Sequence, residues 1–381
     1  MRLPALLALM GIRATGSFQL QAVASAAPAL VAGLGLSYAE LGLLMGAFMV
    51  SGIFVAVPAG LLARRIGDRA VLLGGLVLMA GGGVLAGLAG SFVLLLAARV
   101  LSGVGGVAVL MLVIKMTTDR FSGPMLSTAT SMVIVTWPAG MAASLLVMGP
   151  LAASGADGWR WVFALSGLPA LVALLLVPLV GQPQATQAGG AHRAVPPAPR
   201  WPMVAAASLC WALLNAAIAV MAGFLPGYLI AHGSAPAPAA SFASLASWAF
   251  AAATPFGGLV ADRLTGRAAA VMAGAVATAG LFAAVVASGG AGVVVILLGV
   301  SFALSPGALT AQVGEATPPS ARAAVFGWYS GGSYLGLAIA PWMAGALRDA
   351  SGSAAAPLLF GAALMLGLLP AYVWFRRSVS R

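Results

Sequence analysis

Residues 60–69 read GLLARRIGDR, and residues 258–267 read GLVADRLTGR. The second stretch begins at 258 and the first at 60, an offset of 198 residues in a chain of 381. A match repeated at half the chain length is the mark of a duplicated architecture. Each stretch joins two long apolar segments and crowds glycine and arginine together, as a short loop between two membrane helices does.

Outward from those loops, the composition is that of a membrane protein. Of all residues, 62% are hydrophobic and only 7% charged, with a mean hydropathy of +1.07. A soluble domain carries about 25% charged residues. The single cysteine, Cys210, excludes an intrachain disulfide and a cysteine-based metal cluster. The net charge of +11 suggests nucleic acid at first sight. Yet the basic residues stand singly between apolar stretches, with no basic run and no interleaved aromatics.

Spans of about 20 apolar residues are needed to cross a bilayer. Twelve are read: about 5–32, 39–62, 70–89, 92–114, 124–150, 160–180, 202–230, 240–261, 268–288, 291–313, 323–346 and 355–375. All must be helical, because backbone amides in lipid have to be satisfied within the segment. The runs are too long and too continuous for the alternating strands of a barrel. Arg2 and LPALLALMGI, followed by the small-residue stretch AVASA, look like a secretory signal. Arg13 interrupts that apolar core and the run continues to Leu34, so the segment is read as a retained first helix. Ser37 and Glu40 have the spacing of a capping box. The polar stretch GQPQATQAGGAHRAVPPAPR, 181–200, is the natural linker. The expected organisation is a first six-helix bundle at 1–180, a linker at 181–201 and a second bundle at 202–381.

Arginine and lysine set the orientation. With the N-terminus inside, fourteen fall on the cytoplasmic side, including Arg64, Arg65, Arg69, Lys115, Arg120, Arg263 and Arg267. Only Arg160 and Arg348 fall outside, and Arg13 and Arg99 fall within spans. Both termini are therefore expected in the cytoplasm. The Ala, Gly and Arg bias suggests a GC-rich bacterial coding sequence, hence a bacterial inner membrane.

The loop stretches resemble the signature of the major facilitator superfamily, roughly G-x-L-A-D-R-x-G-R-[RK]. The second copy matches at Gly258, Ala261, Asp262, Arg263, Gly266 and Arg267. The first matches at Gly60, Leu62, Ala63, Arg65, Gly67 and Arg69, and departs at Arg64 and Asp68. LLLAARVLSGVGG, 94–106, is similar to the family's R-x-x-x-G-x-G pattern at Arg99, Gly103 and Gly105. The resemblance implies an all-α membrane fold of twelve transmembrane helices in two pseudo-symmetric bundles, working by alternating access. It implies that Gly60, Arg64, Arg65, Asp68, Arg69, Gly258, Asp262, Arg263 and Arg267 form gating loops, with arginines bridging to the aspartate. It also implies a central cavity lined by helices one, four, seven and ten. GGSYLGLAIAPWMAGALRD, 331–349, is loosely similar to the cyanate/nitrite-type permease branch.

The residues within the spans indicate a guest. All seven acidic residues and both histidines map to loops or helix ends. Arg13 and Arg99 therefore sit in hydrocarbon with no acidic partner, and a bound anion would supply the missing charge. Arg13, Ser17, Gln21, Ala24 and Pro28 share one stripe of the first span, and Gln19 points away. Ser301, Ser305 and Gln312 share a face of the tenth. Trp211 and Asn215 are neighbours on the seventh. Trp137 precedes Pro138, and Tyr329, Ser333 and Tyr334 stand in the eleventh. The expected substrate-binding set is Arg13, Ser17, Gln21, Arg99, Trp137, Asn215, Ser305, Tyr329 and Tyr334. No metal site, no cofactor and no catalytic motif is expected. The expected partners are a small anionic solute and the bilayer, with the chain a monomer and no nucleic acid. The nearest alternative is a proton-coupled efflux antiporter, whose G-x-x-x-G-P-x-x-G-G pattern is incomplete in WPAGMAASLLVMGP, 137–150. A membrane receptor or enzyme is the alternative of another class.

Overall fold

The computed structural model describes residues 2–121, 124–181, 200–261, 263, 266–318 and 321–380. The first set of helices is α1 (Arg2–Leu34), α2 (Tyr38–Ile66), α3 (Asp68–Gly87), α4 (Phe92–Arg120), α5 (Pro124–Ala152), α6 (Gly158–Ser166), α7 (Leu168–Leu174) and α8 (Val177–Val180). The second set is α9 (Trp201–Ala231), α10 (Pro236–Val260), α11 (Arg267–Ala287), α12 (Gly292–Ser301), α13 (Leu304–Glu315), α14 (Arg322–Ser351) and α15 (Ala356–Ser380). Among the described residues, ten helices or helix pairs are long and apolar enough to cross a bilayer. The broken run α6–α8 and the 30-residue α14 complete the twelve.

Local signals in the sequence account for several boundaries. The capping box at the start of α2 forms: Glu40 N–H donates to Ser37 Oγ, and Ser37 N–H donates to Glu40 Oε2. Ser91 caps α4 through its Oγ. The two repeated loops turn on equivalent glycines. Gly67 has φ of +91° and Gly266 has φ of +75°. That region favours glycine, which is a physical reason for the repeated residue.

Two spans expected to be continuous are broken. The sixth divides into α6, α7 and α8, and the tenth divides into α12 and α13. Pro169, Pro178 and Pro306 lack the N–H that would bond the carbonyl four residues back. The gap beside Ala303 is also where α10 comes closest, with a Cβ on Gly257 colliding with the Ala303 carbonyl. Pro138 and Pro226 stay within unbroken helices.

The halves meet through small residues. On α2, a Cβ at Gly42 or Gly46 would collide with the carbonyl of Pro341 or Ala338 on α14, and one at Gly345 with that of Tyr38. On α5, Gly149 meets Ala240 of α10. Such close approach lets two helices pack where neither lipid nor water drives them together. This seam lies toward the end of the molecule that carries Tyr38.

Polar groups fasten the seam. Asp349, near the end of α14, accepts from the first two backbone N–H groups of α2: Tyr38 at 3.0 Å and Ala39 at 2.7 Å. A carboxylate of one half thus caps a helix of the other, where the helix dipole favours negative charge. Beside it, the Arg348 guanidinium lies 3.6 Å from the centroid of the Tyr38 ring. Its Nη2 donates to the Tyr38 hydroxyl at 3.0 Å. Asp349→Ala removes the cap, which is worth about 1 kcal/mol, or about fivefold in population. Spin labels at Ala32→Cys and Ser353→Cys, both exposed positions, are expected to report a larger separated fraction in Asp349→Ala than in the parent. An unchanged distance distribution would show that the cap does not hold the seam.

Candidate functional site

The two arginines within the spans sit in opposite circumstances. Arg99 is 1% exposed. Its Nη1 donates to Gln19 O at 2.9 Å, its Nη2 to Leu20 O at 3.1 Å and its Nε to Leu44 O at 3.3 Å. Its guanidinium carbon also lies 5.1 Å from the Phe48 ring centroid and 6.0 Å from that of Phe163. A helix carbonyl has a second lone pair free for such a donor. Arg99 therefore ties α1, α2, α4 and α6 together. Arg99 has no acidic partner, and its donors are met by backbone carbonyls of α1 and α2.

Arg13, on α1, keeps the unpartnered state. Its Nε is buried with no hydrogen-bond partner, and the side chain as a whole is partly exposed. The group that interacts with it electrostatically is Tyr334 of α14, in the other half. Tyr334 reaches across by lying on the bare backbone of α2, where a Cβ at Gly52 would stand 2.9 Å from its ring. Trp137 packs with Tyr334 around Leu20, Phe48 and Leu337. Trp137 also packs against the core of the second half. Arg13 and Tyr334 are thus brought together from the two halves, and Trp137 packs on the same apolar cluster as Tyr334.

Toward the Tyr38 end this junction is plugged. Gln21 Nε2 donates to Ala222 O of α9 at 2.7 Å. It lines a small cavity of about 20 Å³ with Leu20, Met45, Met141, Gly223 and Leu337, among others. That volume admits about one water molecule.

On the second half, Trp211 stacks on Tyr329 with centroids 4.9 Å apart. Asn215 Nδ2 donates to Trp211 O at 2.8 Å. The Tyr329 hydroxyl is 3.2 Å from Thr310 Oγ1. The remaining expected residues turn inward on their own half. Ser17 Oγ donates to Ala14 O at 3.1 Å and to Thr136 O at 3.4 Å. Ser305 Oγ donates to Val271 O at 3.4 Å. Ser301 meets Thr278 Oγ1 at 2.9 Å, and the Tyr372 hydroxyl donates to Gln312 Oε1 at 2.6 Å. The polar face of the tenth span therefore serves packing against α11 and α15.

At the opposite end of the molecule lie the repeated loops. Asp68 opens α3 and receives Lys115 Nζ at 2.5 Å, and Lys115 also reaches Asp119 at 3.0 Å. The expected arginine bridge to this aspartate is thus a lysine bridge from α4, while Arg64, Arg65 and Arg69 are exposed. In the second half Arg267, which opens α11, pairs with Glu315 at the end of α13. The two pairs occupy matching places in the repeat, with the charges exchanged. Gly60 lies in the second-to-last turn of α2 and Gly258 in the last turn of α10, Arg263 is exposed, and Asp262 lies outside the described residues. Among the described residues, no three His, Cys, Asp or Glu side chains gather as metal ligands would. Tyr38, Arg348, Asp349, Lys115 and Glu315 were missed from sequence. The only signal for any of them was the i,i+4 spacing of Lys115 and Asp119.

A model of the Major Facilitator Superfamily matches residues 8–313. No curated protein matches the chain. Among solved structures, a D-xylose–proton symporter aligns with TM-score 0.80 at 17% identity, covering 98% of this chain and 97% of the other. The inward-open conformation of the xylose transporter XylE from E. coli gives 0.80 at 16% identity, covering 96% and 95%. A bacterial homologue of the human lysosomal transporter Spinster, inward-facing and occupied, gives 0.74 at 18% identity, covering 98% and 96%. These likenesses establish the fold.

The contrast between the arginines has a direct test. Arg99→Gln strands a buried site built for three charged hydrogen bonds and is expected to cost about 2–4 kcal/mol. Arg13→Gln is expected not to lower the melting temperature, because no hydrogen bond of the guanidinium to the protein is lost. Equal destabilisation of the purified variants would mean that Arg13 is structural too.

Proposed function

The chain belongs to the major facilitator superfamily, a family of membrane transporters rather than enzymes, and from that premise we propose that its solute is a small anion. The observation that carries this reading is the Arg13 guanidinium, placed between the halves with a buried Nε and no hydrogen-bond partner. Burying a cation unpaired is costly. An anion accepting from the guanidinium fork removes that cost when it binds. Trp137 and Tyr334 flank the place where it would sit, and Gln21 closes the way beyond.

In this reading residues 1–180 and 202–381 are the two rocking bodies, joined by the linker at 181–201, and the chain acts as a monomer. Solute reaches Arg13 from the end that carries the loops, since the Tyr38 end is plugged by Gln21 and fastened by Asp349. The fourteen basic residues counted at the loop end assign that end to the cytoplasm of a bacterial inner membrane. The structure would then be the inward-facing state, the state named for two of the similar structures. Asp68 and Arg267, with their partners, would exchange contacts when the loop end closes.

A proton-coupled antiporter remains the competing reading, and a proton symporter is among the similar folds. The placing of all seven carboxylates at loops and helix ends favours the anion instead.

In proteoliposomes, Arg13→Gln is expected to reduce anion transport at least tenfold while folding normally, and Arg13→Lys to recover only part of the rate. The choice of anion comes from a thermal-shift screen, because a ligand of the native state raises its melting temperature. Wild-type rates in Arg13→Gln would refute the assignment.

A further inference from the structure

The sign and number of charges around Arg13 also bear on what drives transport. This inference rests on the anion reading above. Over one complete cycle of alternating access the protein returns to its starting arrangement, so its own charges contribute nothing to the net movement. What crosses is the charge of the solute plus that of any ion travelling with it.

A travelling proton is ordinarily carried by Asp, Glu or His inside the bundle. This chain keeps those groups elsewhere. Glu40 is in the first turn of α2, Asp68 opens α3 and Asp157 precedes α6. Asp119 stands next to the last residue of α4, Glu315 ends α13 and Asp349 lies in the last turn of α14. Asp262 belongs by sequence to the second repeated loop, and His192 to the linker. His232 is the residue after α9, where its ring sits over Tyr228 with centroids 4.1 Å apart. The carboxylates that are paired are already engaged within their own ends: Asp68 and Asp119 with Lys115, Asp157 with Arg160, Glu315 with Arg267.

The guest itself is limited by the same count. One unpartnered guanidinium is neutralised by one negative charge. A dianion would carry a second, uncompensated charge into the same low-dielectric junction. Arg99 does not answer it, since each of its three nitrogens already donates to a carbonyl and the side chain is fully buried.

We infer that each cycle carries one uncompensated negative charge, so that the membrane potential, negative inside, drives a monovalent anion out of the cell. At 100 mV the bias on one charge is about 50-fold in equilibrium distribution. The direction follows from the charge alone and is independent of which end of the protein faces the cytoplasm.

The test uses the purified full chain in phosphatidylcholine vesicles loaded with nitrate, methanesulfonate or benzenesulfonate. These are anions of strong acids and do not leak as neutral acids. Valinomycin and a potassium gradient set the potential. The expected result is a final distribution that shifts about tenfold for each 59 mV, outward when the interior is negative. It should not respond to a pH gradient at fixed potential, and sulfate should not be carried. A distribution that ignores the potential, follows the pH or sodium gradient, or requires a counter-anion on the far side would overturn the inference while leaving an anion as the solute. Transport of none of these anions, or of one of them equally by Arg13→Gln, would remove the anion reading and this inference with it.

Discussion

A positive charge held inside a bundle of apolar helices must be answered by something, and the answer differs at the two places where this chain holds one. At Arg99 it is three carbonyl oxygens and two aromatic rings, all from the protein. They make the arginine a strut between four helices. At Arg13 the protein supplies only the nearby phenol of Tyr334, from the opposite half. The first arrangement is complete within the protein, and in our proposal the second is completed by the solute. Because Arg13 and Tyr334 belong to the two sets of helices, a solute bound there would contact both.

The seam at the Tyr38 end shows how the halves are held. Bare glycine backbones on α2 and α14 bring the helices into contact, and Asp349 and Arg348 bind the start of α2 at the surface. Neither device buries an ion pair in the membrane. In the proposed rocking motion, parting of the two sets of helices would remove the cap of α2. The loop end works differently. Its ion pairs, Asp68 with Lys115 and Arg267 with Glu315, lie within each half and survive in this conformation.

Much of this was legible in the sequence. Run lengths gave the spans and the repeat gave the duplication, while the positive φ of the loop glycines in both copies came only with the structure. The broken sixth and tenth spans were not legible, because Pro306 looks the same on paper as Pro138 or Pro226. Arg99 could not be told from Arg13 either, since its partners are backbone atoms that every residue possesses. Ser17 shares a helical face with Arg13 and Gln21, and Ser305 shares one with Ser301 and Gln312, yet the hydroxyls of both serines are turned to adjacent helices by a rotation that a wheel does not resolve. Asp349 reads as an ordinary acid at a helix end; its capping of a helix some 310 residues away in sequence exists only in three dimensions.

The claim at the centre is that the Arg13 guanidinium binds an anion. Crystals of the protein soaked in iodide and measured for anomalous scattering address it without any knowledge of the natural solute. A peak in contact with the Arg13 guanidinium, on the side of Tyr334, and lost in Arg13→Gln, is the expected result. Full hydrogen bonding of that guanidinium to protein carbonyls, with no halide beside it, would contradict the account.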